Sequence, residues 1–307
     1  MVSAFTVPTD APESDGTAEW DSTTVVVVEA SGGGETGLGH TYAPAAAGAV
    51  VEQQLADVVR GRDAFAVAEA WEAMARALRN AGRPGIGFCA LSAIDLALWD
   101  LKARLLGLPL VDLLGRARHE APVYGSGGFT SYPLERIREQ FGGWVEQGIP
   151  RVKMKVSREP ERDPERLDAA RQAIGDETEL YVDSNGALSR KHALAWAERF
   201  AREWGVTWYE EPVSSADLEG LRFLRAGALA AAFDLDLSAH CAPSASVDAC
   251  CAVPRFRRLE WFHDHVRLEP LLFDGVLEPE NGLLRPDRSR PGNGLELKRA
   301  EAARYAA

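Results

Sequence analysis

The hydrophobic pattern of this chain changes period near residue 121. Before that point, residues 23–42 (TTVVVVEASGGGETGLGHTY) predict two strands around a Gly-rich turn. The preceding PTDAPESDG (8–16) reads as a polar loop with Pro and Gly breakers. Three helical patterns follow, at 46–60, 62–80 and 87–106. The third, GFCALSAIDLALWDLKARLLG, is apolar nearly all round. It predicts a buried helix that stops at Gly107, Leu108 and Pro109. Residues 1–120 therefore read as an α+β unit.

From 121 onward, strand-like runs recur as VYGSGGF (123–129), RVKMKV (151–156), LYVDSN (180–185), TWYEEP (207–212), LDLSAH (235–240) and LEWFHDH (259–265). Their starts are 28, 29, 27, 28 and 24 residues apart, and charged amphipathic patterns fill the gaps. That rhythm is the signature of parallel βα units and predicts an α/β, TIM-type (β/α) barrel. Six units are visible over 121–269, where a closed barrel of this type has eight. The tail, 270–307, has Pro/Gly-rich turns and little periodicity, and is expected to wrap back onto the first unit.

Composition adds exclusions. The 307 residues are 46% hydrophobic with a net charge of -12, which argues against a nucleic-acid or anionic-membrane partner. No apolar run approaches the roughly 18 residues of a membrane span. MVSAFTVPTDAPESDG lacks the basic and apolar regions of a signal peptide, so a cytoplasmic protein is expected. Cys89, Cys241, Cys250 and Cys251 fit neither a disulfide scaffold nor a CxxC zinc pattern, and read as mostly buried thiols.

In such a barrel, function sits at the C-terminal ends of the strands. Those ends carry Lys153 and Lys155, then Asp183 and Asn185, Glu210 and Glu211, His240, and finally Glu260 and His263. Each alone has an ordinary explanation: a solvated KxK edge, an Asp-Ser-Asn-Gly turn, a Glu-Glu-Pro helix start. Their matched phase on consecutive units points to one mouth. Asp183 and Glu210 offer hard oxygen ligands suited to Mg²⁺. A metal there would bind a substrate carboxylate and stabilise the enediolate left when an α-proton departs. Lys155 is the expected base, with the like charge of Lys153 lowering its pKa, and His240 the acid or base on the opposite face. A barrel enzyme using one Schiff-base lysine would leave Asp183 and Glu210 unexplained.

The KxK, VDxNG, EEP and SAHCAP motifs, in this order, resemble the enolase superfamily, in particular its mandelate racemase and muconate lactonizing subgroup with the acid-sugar dehydratases. The resemblance implies an N-terminal capping domain at 1–120, completed by 270–307, and a barrel domain at 121–269. It implies a mobile loop at 8–16 that closes over the substrate. It implies Lys155 as general base with Lys153 its partner, Asp183 and Glu210 as Mg²⁺ ligands with Asn185 beside them, His240 as second acid/base, and Glu260 as the acid hydrogen-bonded to the substrate carboxylate. The implied partner is a small hydroxy-carboxylate, a sugar acid. Specificity would come from the 8–16 loop and from Tyr124 and Ser126.

The family also has a third carboxylate ligand on the fifth strand and an Asp on the sixth that orients the His. Here WYEEPVSSADLEGLRFLR runs straight into AGALAAAFDLDLSAHCAP, so two βα units, roughly 55 residues at this repeat, are expected to be missing. The chain also begins abruptly for the first cap strand. Strand number, tilt and shear are linked, so six units imply either direct pairing of the Glu210 and His240 strands or exposed edges. Exposed edges would favour a homo-oligomer. Weak Mg²⁺ binding and slow or absent turnover are expected, the alternative being a non-catalytic member, unless Asp264 or His263 supplies a ligand.

Overall fold

The computed structural model describes residues 1–220 and 237–307. The chain opens with an antiparallel meander, β1 (Val2–Ser14), β2 (Glu19–Gly32) and β3 (Glu35–Tyr42). Val25, Val26, Val27 and Val28 are all buried, because this sheet is covered on both faces. Val26 and Val28 pack on the helices of 46–105, while Val25 and Val27 meet Leu268, Leu272, Phe273 and Leu295 of the C-terminal part. Burial on both faces explains a continuous apolar run rather than an alternating one.

Helix Ile86–Leu105 lies against β3 so closely that a Cβ at Gly39 would overlap the carbonyl oxygen of Ala93. Asp100, on the same helix, accepts the backbone N–H groups of Leu38 (2.7 Å) and Asn293 (2.6 Å) and pairs with Arg104 at 2.7 Å. One buried carboxylate thus ties helix, meander and tail together. The tail returns as expected: Phe5 bridges Ala306, and Ala307 donates its N–H to Ala4.

The second part is a curled parallel sheet. Its strands are β4 (Ala121–Gly127), β5 (Arg151–Lys155), β6 (Glu179–Asp183), β7 (Val206–Glu210), β8 (Leu237–Ala239) and β9 (Phe256–Phe262). The order is β7-β6-β5-β4-β9-β8, with Leu283–Leu284 added antiparallel to β4. Helices Leu134–Glu146, Asp163–Ile174 and Arg190–Trp204 cover it, around a core that includes Ile137, Phe141, Leu167 and Phe200. Among the described residues, β7 and β8 lie at opposite ends of this sheet and are not paired with each other.

Three expectations need correction. Residues 8–14 of the 8–16 segment are strand rather than loop, with Asp15 and Gly16 in the turn that follows. β1 runs to Ser14 and pairs with β2 on both sides of a register shift between Pro8 and Glu13. Its two prolines and lack of apolar alternation hide the strand. Glu13 and Ser14 are buried by tertiary partners instead. The connecting turn is Asp15–Ala18, closed by Asp15 Oδ1 accepting the N–H groups of Thr17 and Ala18, both at 2.7 Å. The helix read over 62–80 spans only Val67–Ala77. The strand-like run read to 265 stops at Phe262, whose partner is Ser126 of β4, and His263 directly after it opens helix His263–Leu272.

Candidate active site

Parallel register builds the site. Lys155, Asp183 and Glu210 are direct partners across β5, β6 and β7, so their side chains share one rung and one face. Lys153 lies one layer below on the same face. Its Nζ is 2.8 Å from Glu260, 2.9 Å from Glu210 and 3.5 Å from Asp183. Lys155 Nζ donates to Asp183 Oδ2 at 2.7 Å. The two ammonium groups therefore share a face because three carboxylates are set among them.

Burial opposes the charge of Lys153, which is 1% exposed. Glu260 foremost, with Tyr124, Glu210 and Asp183, outweighs burial and holds the lysine protonated well above its usual range. Burial likewise pushes the Glu260 carboxyl up, but Lys153, His240 and Lys155 draw it well below the usual carboxylate range. Asp183 shifts down for the same reason, with Lys155 its largest stabilising partner. Lys153 is a fixed cation. Lys155 has one carboxylate contact, Asp183, and lines the cavity.

The top of β5 is held from behind. Arg166 is buried, donating to the carbonyls of Lys155 (2.9 Å), Gly128 (2.8 Å) and Phe129 (3.0 Å). Asn185 adopts a left-handed backbone and donates its N–H to Asp183 Oδ1 at 2.9 Å. Its own Oδ1 is buried without a hydrogen-bond partner. Asp183 and Glu210 are register partners, and Asn185 follows two residues after Asp183, so this end of the sheet carries oxygen donors of the kind a hard divalent cation takes.

Across the mouth, His240 follows the three-residue strand β8, and its side chain is 79% exposed. Its Nε2 lies 3.5 Å from Glu260 Oε2. Sequence reasoning missed Cys241, whose buried Sγ lies 3.3 Å from the same oxygen; its place beside His240 in SAHCAP was the available signal. It also missed Trp20, which lines the cavity from the N-terminal hairpin together with Asp15 of the 8–16 segment. That cavity, about 810 Å³, is bounded by Lys155, Asn185, His240 and Cys241. The Asp15–Ala18 turn sits on the mouth: Thr17 donates to the Asn185 carbonyl at 3.2 Å, and a Cβ at Gly16 would overlap the Ser184 carbonyl.

Tyr124 and Ser126 do not line this cavity. Tyr124 is buried with its ring 5.4 Å from Lys153 Nζ, and Ser126 is fully enclosed. Both sit beside the buried charges: Tyr124 is the register partner of Glu260, and Ser126 that of Lys153. Asp264 and His263 are turned to the hairpin. Asp264 Oδ2 accepts from Trp20 (2.9 Å) and Thr23 (3.0 Å), and His263 lies 3.9 Å from Asp10. Among the described residues the cysteines are free thiols, three of them buried, and no helix is long and apolar enough to cross a membrane.

Comparison with known proteins gives two family matches. The N-terminal domain of the mandelate racemase / muconate lactonizing enzyme family matches residues 2–115. The enolase C-terminal domain-like family matches residues 136–228 and 221–302, in two segments. The L-talarate/galactarate dehydratase of Salmonella typhimurium LT2 is 35% identical over 193 residues, which is 61% of this chain and 48% of that protein. The chain thus spans about half the length of that relative. A mandelate racemase/muconate lactonizing enzyme-like protein from Rubrobacter xylanophilus is 54% identical with a TM-score of 0.96, over 100% of this chain and 98% of that one. A racemase from Streptomyces coelicolor A3(2), solved with bound magnesium, is 26% identical with a TM-score of 0.89, over 100% and 99%.

Proposed function

The chain belongs to the mandelate racemase / muconate lactonizing enzyme family of the enolase superfamily, and on that premise we propose that it removes the α-proton of a hydroxy-carboxylate of the sugar-acid class. The rung formed by Lys155, Asp183 and Glu210 carries this reading. Asp183 and Glu210, with Asn185 Oδ1 beside them, would hold Mg²⁺, which when bound supplies positive charge to the substrate carboxylate and acidifies the adjacent C–H. Lys155 Nζ, as the free amine, takes the α-proton. Lys153 stays an ammonium and balances Glu260, Glu210 and Asp183 throughout. In a dehydration, His240 as imidazolium gives its proton to the departing β-hydroxyl, which leaves as water. In a racemisation it returns a proton to the opposite face. The Asp15–Ala18 turn excludes bulk water from the cavity. Similarity to a talarate/galactarate dehydratase supports the sugar-acid class.

The test is α-proton exchange in D₂O, followed by NMR over a panel of aldonic and aldaric acids with Mg²⁺ present. Exchange that disappears in Lys155→Met supports the reading. Exchange that persists unchanged in that variant contradicts it. An assembly of identical subunits belongs to the same proposal, and a monomer in sedimentation velocity would count against it.

A second reading, a shortened non-catalytic member, is favoured by one observation. His240 has Glu260 as its carboxylate neighbour, and Lys153 already claims that group. The two-segment match, overlapping at 221–228, and the six parallel strands among the described residues support a barrel short of two units. Mg²⁺ binding without exchange on any acid would select this reading.

A further inference from the structure

We infer that His240, Cys241 and Glu260 form a second metal site, for a borderline-soft cation of the Zn²⁺ class, on the wall opposite Asp183 and Glu210. The geometry is the argument. Cys241 Sγ lies 3.3 Å from Glu260 Oε2 and 3.5 Å from His240 Nε2, and the latter two atoms are 3.5 Å apart. The three donors make a nearly equilateral triangle. A tetrahedral zinc with bonds of about 2.0–2.3 Å has ligand–ligand edges of roughly 3.3–3.8 Å. The triangle is one face of that tetrahedron. Among the described residues this is the one group of three His, Cys, Asp or Glu side chains close enough to share an ion.

The donor chemistry separates the two sites. Imidazole, thiolate and carboxylate suit zinc-like ions, whereas magnesium takes oxygen. Glu260 can serve here without abandoning Lys153. Its Oε1 lies 2.8 Å from Lys153 Nζ, and its Oε2 faces the triangle. An outer partner of that kind fixes a ligand's orientation. The backbone is committed to the same arrangement. Cys241 and Ala242 are both left-handed, which non-glycine residues resist, and this turn carries the Cys241 side chain inward beneath His240. Ala242 N–H donates to His265 Nδ1 at 3.2 Å and Ser246 Oγ to the Cys241 carbonyl at 3.2 Å, so the turn is anchored at both residues. His240 and Cys241 also line the large cavity, so the fourth coordination position opens to water or substrate. On coordination the thiol proton passes to solvent, and no oxidation state changes. The consequence is inhibition: an ion here occupies His240 and Glu260 together.

The site is read directly, without recourse to turnover, by titrating the metal-free full chain with Co²⁺. The expected spectrum has the strong visible bands of tetrahedral cobalt and a near-ultraviolet thiolate-to-cobalt band, saturating at one equivalent. Zn²⁺ should abolish it and excess Mg²⁺ should not. Cys241→Ser should lose the thiolate band, while Cys250→Ser keeps it. His240→Ala, at an exposed position that folding tolerates, should weaken binding on the order of tenfold or more. Weak octahedral bands alone, a thiolate band that survives Cys241→Ser, or affinity unchanged in His240→Ala would overturn the proposal.

Discussion

The two walls of the mouth are built to different standards. The lysine wall stands on β5, β6 and β7, where direct strand register places Lys155, Asp183 and Glu210 on one rung and Arg166 clamps the backbone behind it. The histidine wall hangs from a three-residue strand and a left-handed turn at Cys241 and Ala242. Lys153 is almost wholly enclosed, and the His240 side chain is mostly in solvent. Glu260 belongs to both walls, through one oxygen each. The difference teaches that charge placement on one wall is a property of the folded sheet, while on the other it depends on local loop geometry.

The largest expected effect comes from breaking the first wall. Lys153→Met strips the cation from buried Glu260 and Asp183 and should cost about 3–5 kcal/mol in urea unfolding. Loss below about 1 kcal/mol would mean that the carboxylates find another partner. Next is acid sensitivity. Glu260 ionises at lower pH in the folded chain than in the unfolded one, so its stabilisation is complete above the unfolded value of about 4.3 and drains away as pH falls through the lower folded value. Glu260→Gln should flatten the acid limb of the stability curve.

Glu13, on β1, responds with the opposite sign. Burial, then the neighbouring Asp264 charge, pushes the Glu13 carboxyl up to about 8. Between about 4.3 and that value the folded chain binds more protons than the unfolded one, so Glu13's contribution weakens as pH rises. Glu13→Gln should remove that decline between pH 5 and 8 in thermal melts. The smallest effect belongs to the second wall. His240→Ala should change stability by about 0.5 kcal/mol or less. A larger loss would show the two walls to be coupled.

The strand–helix rhythm made the barrel units legible, and the matched strand ends made Lys153, Lys155, Asp183, Glu210, His240 and Glu260 legible as one group. Residues whose environment comes from distant segments stayed hidden. Glu13 and Ser14 look like loop residues until Trp20, Tyr132 and Thr130 meet them. Cys241 looks like a core thiol until β9 brings Glu260 beneath it. Tyr124 and Ser126 sit near a strand end in sequence, yet a central strand buries them. His263 continues an apolar, β-type run, and the turn into a helix at that residue leaves no mark in the local pattern.

The most direct measurement is a calorimetric titration of the purified chain with Mg²⁺, run beside Glu210→Gln. The account predicts saturable binding in the wild type and a loss of roughly tenfold or more in the variant, because Glu210 is one of the two proposed carboxylate ligands. No binding in the wild type, or equal binding in both, would contradict it. The rung across β5, β6 and β7 would then be an ion-pair network and nothing more.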